Sequence, residues 1–130
     1  MFQVERIDHI AFTARNLDGL AEWYKKVFRM ERVYADVWAD IAKGNPVVLC
    51  AGDACVALFQ VREGVEPRPV EPRDHNEHFA LKLDRANFEQ AQRDLWELKI
   101  EFRLSNHTVC DSLYFYDPEG HQIELTTYEV

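Results

Sequence analysis

The feature that most constrains the fold is a repeat within the chain. Residues 77–81 (EHFAL) resemble residues 8–12 (DHIAF), and an apolar helical pattern follows each segment. The offsets between matching positions stay close to one value: 69 residues from His9 to His78, 71 from Leu17 to Phe88 and 67 from Ala57 to Glu124. Self-similarity at a nearly fixed period indicates a structural unit that occurs twice. The sequence therefore predicts two similar modules.

Each module is predicted to have the order β-α-β-β-β. In the first, alternating polar and apolar residues predict a strand over 4–13, and residues 16–19 can cap a helix that ends near Arg29. Further strands are predicted over 31–38, 47–50 and 55–61, the last two joined by a tight turn. In the second, the helical stripe comprises Phe88, Ala91, Leu95 and Leu98, and strands follow near 100–104, 110–116 and 121–128.

Length and composition predict a single domain over residues 1–130. With 130 residues, 47% of them hydrophobic, the chain can close one core. The first module covers about 4–61 and the second about 77–128, and the proline-rich, charged segment 62–76 is expected to be an exposed connector or lid. No apolar run approaches the roughly 20 residues of a membrane span, and the start MFQVERID lacks the pattern of a signal peptide. We therefore expect a cytoplasmic protein.

Charge and cysteine content narrow the classes of partner. The net charge of -8 disfavours binding to nucleic acid or to an anionic membrane. The three cysteines, Cys50, Cys55 and Cys110, are odd in number and have no CxxC spacing. The sequence thus predicts reduced cysteines packed in or near strands rather than a disulfide framework or a thiolate zinc site.

Three residues form a candidate metal site. His9 and His78 stand at matching places on the first predicted strand of each module, and Glu124 stands on the last predicted strand of the second. Because side chains alternate along a strand, all three are predicted to lie on the more polar sheet face. Two imidazoles and one carboxylate leave open positions on a divalent ion for water or substrate, as catalysis requires. Glu124 is also the candidate catalytic residue.

Three segments, IDHIAFTARNLDGLAEWYKKVF, HFALKLD and SLYFYDPEGHQIELTTY, resemble the vicinal oxygen chelate (VOC) superfamily, the glyoxalase, bleomycin resistance protein and dioxygenase family. The resemblance covers nearly the whole chain, and the DPEGHQIEL turn and strand is its most specific part. It implies an α+β fold in which two βαβββ modules, related by pseudo-twofold symmetry, form a curved mixed sheet around a metal cleft. His9, His78 and Glu124 fall where the superfamily places metal ligands, and single-module relatives imply a homodimer.

The resemblance spans several activities. We expect a metal-dependent, glyoxalase-like lyase or isomerase acting on a small substrate that is chelated through adjacent oxygens. The alternatives are a thiol transferase of the fosfomycin-resistance type, an extradiol dioxygenase, and a metal-free binding protein like the bleomycin-resistance proteins. The identity of the single divalent ion would choose among the enzymes: zinc or nickel fits a lyase or isomerase, manganese a transferase and iron(II) a dioxygenase.

The chain departs from its relatives at three places. Ala57 occupies the position at which glyoxalase I carries a metal-binding carboxylate, so the resemblance implies a site of three ligands. Ala11 stands where fosfomycin transferases carry a threonine, and the arginine that they place beyond the last ligand is missing after Glu124.

Other polar and aromatic residues are weaker candidates. Similar transferases place hydroxyls around their substrate at the positions of Tyr114, Ser112 and Thr108, and Tyr128 and Trp38 are further candidates for substrate contact. His75 is the alternative ligand if the register near His78 differs. His107 is predicted to be either an exposed loop residue or an acid-base group. His121 is predicted to be a turn or packing residue. Trp23 and Trp96 are predicted to be core residues.

Overall fold

The computed structural model describes residues 1–37, 46–66 and 77–130. The chain divides into two compact units, Met1–Arg68 and Pro69–Val130. The first unit contains β1 (Ile10–Ala14), α1 (Leu17–Phe28), β2 (Glu31–Val33), β3 (Val47–Ala51) and β4 (Ala54–Gln60). The second contains β5 (His78–Lys82), α2 (Arg85–Glu97), β6 (Arg103–Asn106), β7 (Asp111–Tyr116) and β8 (Gln122–Thr127). Within the described ranges, no helix is long and apolar enough to cross a membrane.

Both units contain the same four-stranded mixed sheet. The strand orders are β1-β4-β3-β2 and β5-β8-β7-β6, and in each sheet the first strand runs parallel to the last while the other pairs are antiparallel. The predicted α+β fold with two βαβββ modules is confirmed. Ala11 pairs with Ala57 in the first sheet, and Ala80 pairs with Glu124 in the second. Ala57 is therefore the structural counterpart of Glu124, as the repeat predicted.

The first helix follows from a local signal and an apolar stripe. The side chain of Asn16 accepts a hydrogen bond from the backbone N–H of Gly19 at 3.0 Å, which satisfies one of the N–H groups that a helix leaves without a partner. Leu20, Ala21 and Tyr24 are buried. Arg29, in the left-handed conformation with φ 54°, ends the helix where the sequence predicted.

The second helix confirms the predicted stripe but corrects one residue. Phe88 and Leu95 are buried, and Asp84 caps the helix by accepting from the N–H of Asn87. Trp96, however, is 79% exposed. It directly follows the buried Leu95, and neighbouring residues on a helix point about 100° apart, so the prediction that Trp96 belongs to the core is wrong. Trp23 in α1 is half-buried.

Several strands are shorter or shifted relative to the prediction. β1 begins at Ile10 instead of residue 4, and its first pair in the sheet joins Ile10 to Val56 of β4. β2 ends at Val33 because Tyr34 takes a left-handed conformation with φ 60°. β6 begins at Arg103 rather than residue 100, because residues 98–100 still hydrogen-bond to the end of α2.

The cysteines also differ from the prediction. Cys50 and Cys55 lie directly opposite each other in the β3–β4 hairpin, with Cα atoms 4.2 Å apart, and they form a disulfide. Cys110 is free and buried, as expected. The expectation of three reduced cysteines is therefore wrong for two of them, because the hairpin register brings together residues whose spacing matches no metal or redox motif.

Replacing Asn16 with alanine should lower the free energy of unfolding by about 1 kcal/mol, because the N–H of Gly19 loses its acceptor. Urea denaturation followed by circular dichroism measures the change. The matched control is Asn16→Ser, which retains an oxygen acceptor and should stay within a few tenths of a kcal/mol of the wild type. Equal losses in both variants would contradict the capping role.

Candidate functional site

The second sheet has one apolar face and one polar face. Because side chains alternate, the residues that share the face of Glu124 are His78, Ala80 and Lys82 on β5, Gln122 and Thr126 on β8, Ser112, Tyr114 and Tyr116 on β7, and Arg103 and Ser105 on β6. The opposite face carries the buried residues Phe79, Leu113, Phe115, Ile123 and Leu125. The candidate site residues of this unit that lie on strands are thus gathered on one surface, and the core lies behind it.

The centre of the polar face is a contact between two predicted metal ligands. The Nε2 atom of His78 lies 2.7 Å from the Oε2 atom of Glu124. The two residues come from adjacent parallel strands and are offset by one pair on the same face, because Glu124 pairs with Ala80 and His78 pairs with Gln122. The side chain of Glu124 is 12% exposed and that of His78 is 27% exposed, so both are accessible but substantially shielded from water.

Ser112 fixes the other oxygen of the carboxylate. It is completely buried, and its hydroxyl donates to Oε1 of Glu124 at 2.6 Å. Its oxygen also lies 3.1 Å from the hydroxyl of Thr126. Each carboxylate oxygen of Glu124 therefore has its own hydrogen-bonding partner, and the orientation of the group is defined before any ligand arrives.

Glu124 is held in its ionised form. Burial raises the pKa of this carboxyl, but hydrogen bonds from Ser112, His78 and Tyr114 outweigh it and lower the pKa below the ordinary value of 4.5. An ionised carboxylate beside an imidazole can accept a proton or bind a cation.

Tyr114 completes the row beside Glu124. It pairs with Glu124 on one side and with Arg103 on the other. The guanidinium of Arg103 lies 4.5 Å from the centre of the tyrosine ring, and the His107 Nε2 lies 3.0 Å from the hydroxyl. Burial, followed by the charge of Glu124, raises the pKa of Tyr114, so it is a neutral hydroxyl at neutral pH.

The pair of His78 and Glu124 suits a divalent ion. Imidazole nitrogen and carboxylate oxygen are both common ligands of zinc, manganese and iron, and an ion between them would take the place of the proton that they share. No third histidine, cysteine, aspartate or glutamate among the described residues of this unit joins the pair in a metal-binding group. His9 lies in the first unit, and its ligation of the same ion remains a prediction.

His9 is nevertheless arranged as metal-binding histidines usually are. It stands one residue before β1, it is exposed, and its Nδ1 lies 2.8 Å from the carboxylate of Asp8. Metal-binding histidines often donate one ring N–H to a carboxylate, which orients the ring and directs the second nitrogen to the metal. In His9 that second nitrogen is Nε2.

The other candidates lie apart from Glu124 or outside the described residues. Thr108 is exposed in the turn between β6 and β7, and Tyr128 follows β8, is 57% exposed and has the amine of Lys82 5.8 Å from its ring centre. His121 contacts the buried Asp117 at 2.6 Å in the turn before β8, in the turn role predicted for it. Trp38 and His75 lie outside the described residues.

Sequence reasoning did not connect Arg103 with the site, and it offered His107 either as an exposed loop residue or as an acid-base group. His107 was expected to be exposed, and it is, yet it contacts Tyr114. The available signal was the β6–β7 hairpin: with the correct register, Arg103 falls opposite Tyr114 and His107 closes the turn next to it.

Replacing Ser112 with alanine should raise the pKa of Glu124 and cost about 1–3 kcal/mol of stability, because a buried carboxylate oxygen loses its donor. Carbon-detected NMR titration of the Glu124 carboxyl and urea denaturation measure the two effects. Ser105→Ala, at the residue directly opposite Ser112 on β6, is the control and should change neither.

The stability difference should also depend on pH. A carboxyl whose pKa is lowered by folding stabilises the fold above its unfolded pKa, and this contribution is lost as the pH falls through the folded pKa. The gap between wild type and Ser112→Ala should therefore narrow below about pH 4.5, where Glu124 begins to be protonated. A gap that stays constant down to about pH 2 would show that the hydrogen bond does not stabilise the charge.

Comparisons with known proteins agree with the observed fold and with the family resemblance described from the sequence. The family model described as the Glyoxalase/Bleomycin resistance protein/Dioxygenase superfamily matches residues 6–125. The chain is 28% identical over 127 residues to the fosfomycin resistance protein FosX of Mesorhizobium japonicum, and the aligned region covers 95% of this chain and 86% of that protein. It is 25% identical over 128 residues to the metallothiol transferase FosB of Staphylococcus epidermidis, covering 96% and 83%.

A solved structure agrees with these matches at the level of the fold. A glyoxalase/dioxygenase from Nostoc punctiforme superimposes with a TM-score of 0.76 at 21% identity, covering 95% of this chain and 90% of the other. Since the family model spans nearly the whole chain and the two βαβββ units are present, this protein belongs to the glyoxalase/bleomycin resistance protein/dioxygenase superfamily, the vicinal oxygen chelate proteins.

Proposed function

We propose that this protein is a metal-dependent enzyme that opens a small epoxide-bearing substrate such as fosfomycin by adding a nucleophile, a thiol or water. The observation that carries the proposal is the contact between the Nε2 of His78 and the Oε2 of the ionised Glu124, with the second carboxylate oxygen fixed by Ser112. His9 is the proposed third ligand. A bound ion would polarise a substrate oxygen and stabilise the negative charge that develops on it.

The residues of the chain supply orientation and a proton. Ser112 holds the carboxylate of Glu124, so one oxygen is directed toward His78. The hydroxyl of Tyr114, next to Glu124 on the same face, can donate a hydrogen bond to a substrate oxygen on which negative charge develops. Its raised pKa keeps the proton on this hydroxyl at neutral pH.

Two observations favour this activity over the lyase or isomerase expected from the sequence. The relatives FosX and FosB match along almost the whole chain, and their names refer to fosfomycin resistance and to a metal-dependent thiol transferase. Ala57, which pairs with Ala11 and Val48, cannot supply the carboxylate that the glyoxalase I pattern requires at this position. A small-molecule substrate and a homodimer remain the predicted partners, and the cytoplasm the predicted location.

Protein purified without chelators or a histidine tag should contain close to one divalent transition metal ion per chain. Glu124→Gln should weaken metal binding by more than about tenfold, because even groups that only support a ligand act on that scale. Calorimetric titration of manganese and zinc into the metal-free protein measures the affinity. Glu119→Gln makes the same chemical change in the nearby turn and should bind metal like the wild type.

The variants also test the ligand set. His78→Ala and His9→Ala should each reduce the metal content. Full metal content in His9→Ala would remove His9 from the set and leave the pair in the second unit. Wild-type protein that neither contains metal nor is stabilised by added manganese, iron, nickel or zinc would contradict the enzyme proposal and favour a metal-free binding protein.

The metal-loaded protein should consume fosfomycin in the presence of glutathione or cysteine, or with water alone, and Glu124→Gln should reduce the rate by at least about a hundredfold. Mass spectrometry distinguishes a thiol adduct from the hydrated product. The hemithioacetal of methylglyoxal and glutathione, tested in parallel, covers the lyase prediction, and conversion of that substrate alone would overturn the fosfomycin proposal.

A further inference from the structure

We propose that Cys50 and Cys55 form a redox-active pair, which low-molecular-weight thiols open and the corresponding small-molecule disulfides close. The two residues form a disulfide across the β3–β4 hairpin of the first unit, and both are partly exposed. Their exchange with a thiol needs neither a metal ion nor an epoxide, so this activity is separate from the proposed function.

The β3–β4 hairpin does not depend on this bond. Its strands pair at five successive positions, and Leu49 and Val56, which lie opposite each other, are buried. A bond between residues only five positions apart closes a short loop, so it restricts the unfolded chain little. We therefore expect the hairpin to keep its fold when the bond is reduced, as a reversible redox pair requires.

The sulfur atoms lie at an accessible place. The turn residues Gly52 and Asp53, between the two cysteines, are exposed, so a small thiol can approach the bond from the end of the hairpin. Cys110, in contrast, is buried and free. In the cytoplasm, the predicted location, disulfides are usually transient and redox-active rather than permanent. Exposure and short spacing thus both favour a reducible bond.

The exchange balances in atoms and electrons. A thiolate attacks one sulfur of the bond, forms a mixed disulfide with that cysteine and releases the other cysteine as a thiolate, which takes up a proton. A second thiol molecule displaces the first, so the small molecules leave as one disulfide and the remaining cysteine is also protonated. The electrons that reduce the protein come from these two thiols, and oxidation by a small-molecule disulfide is the reverse. Glutathione and cysteine, the thiols of the proposed reaction, belong to this class.

Sheet register places the pair next to His9. His9 and Cys55 come directly before the first residues that pair between β1 and β4. Their counterparts in the second unit, His78 and Gln122, do pair with each other. Side chains of neighbouring residues on paired strands share a face of the sheet. Reduction of the bond therefore frees two thiols on the face of His9.

The first experiment places the purified full chain in glutathione buffers of increasing reduced-to-oxidised ratio, followed by alkylation and peptide mapping by mass spectrometry. In a buffer poised like the cytosolic glutathione pool, Cys50 and Cys55 should both become alkylated, with an unchanged circular dichroism spectrum. Oxidised glutathione should then restore the bond. A bond that persists in the reducing buffer, that does not form again, or whose loss unfolds the protein would overturn the proposal.

Variants separate the pair from the third cysteine. Cys110→Ser should titrate at the same glutathione ratio as the wild type, because the buried Cys110 takes no part. Cys50→Ser retains one sulfur of the pair, and with oxidised glutathione it should accumulate a glutathione adduct at Cys55, the mixed disulfide of the exchange. A variant protein that forms no adduct at Cys55 would contradict the exchange.

NMR tests the placement beside His9. The ring signals of His9 should shift between the oxidised and the reduced protein, whereas those of His121, in the second unit, should stay unchanged. The double variant Cys50→Ser, Cys55→Ser should give the same His9 signals in both buffers. Identical His9 signals in the oxidised and reduced wild type would contradict the placement. None of these experiments uses turnover, so a failed fosfomycin assay would overturn the proposed function alone.

Discussion

The polar face of the second unit depends on one shielded negative charge. Taking a carboxylate out of water is costly unless it is hydrogen-bonded or paired. Glu124 meets this requirement through Ser112 on one oxygen and His78 on the other, with Tyr114 beside them. Each of these residues comes from a strand adjacent to β8, so the hydrogen bonds to the Glu124 carboxylate form only in the observed sheet register. A register shifted by one residue would direct Glu124 into the apolar core.

The sequence was sufficient for features that depend on local pattern. The repeat predicted two modules, and the structure pairs Ala11 with Ala57 and Ala80 with Glu124, as the offsets required. The proximity of His78 and Glu124 could also be predicted, because the alternation of side chains along a strand places both on one face of the sheet. Repeats and alternation are properties of the chain itself, and packing does not overrule them easily.

Features that depend on how one strand pairs with another could not be predicted from the sequence in the same way. The start of β1 is defined by its pairing with β4, and the end of β2 coincides with the left-handed Tyr34. Cys50 and Cys55 flank a turn that the sequence did predict, and exact register would have placed them opposite each other. The contact between His107 and Tyr114 likewise becomes predictable only when the register of the β6–β7 hairpin is known. Residue types and their spacing along the chain do not by themselves give the register of paired strands.

The spacing of the site residues along the chain has a consequence for folding. Ser112 and Glu124 are 12 residues apart and are joined by an antiparallel hairpin, whereas His78 and Glu124 are 46 apart and meet through parallel pairing. Closing the longer loop costs about 1 kcal/mol more in chain entropy than closing the shorter one. The carboxylate and hydroxyl part of the site therefore belongs to a low-contact-order element, and the imidazole joins it only when β5 docks. A ligand that bridges both parts would stabilise the longest-range pairing of the unit.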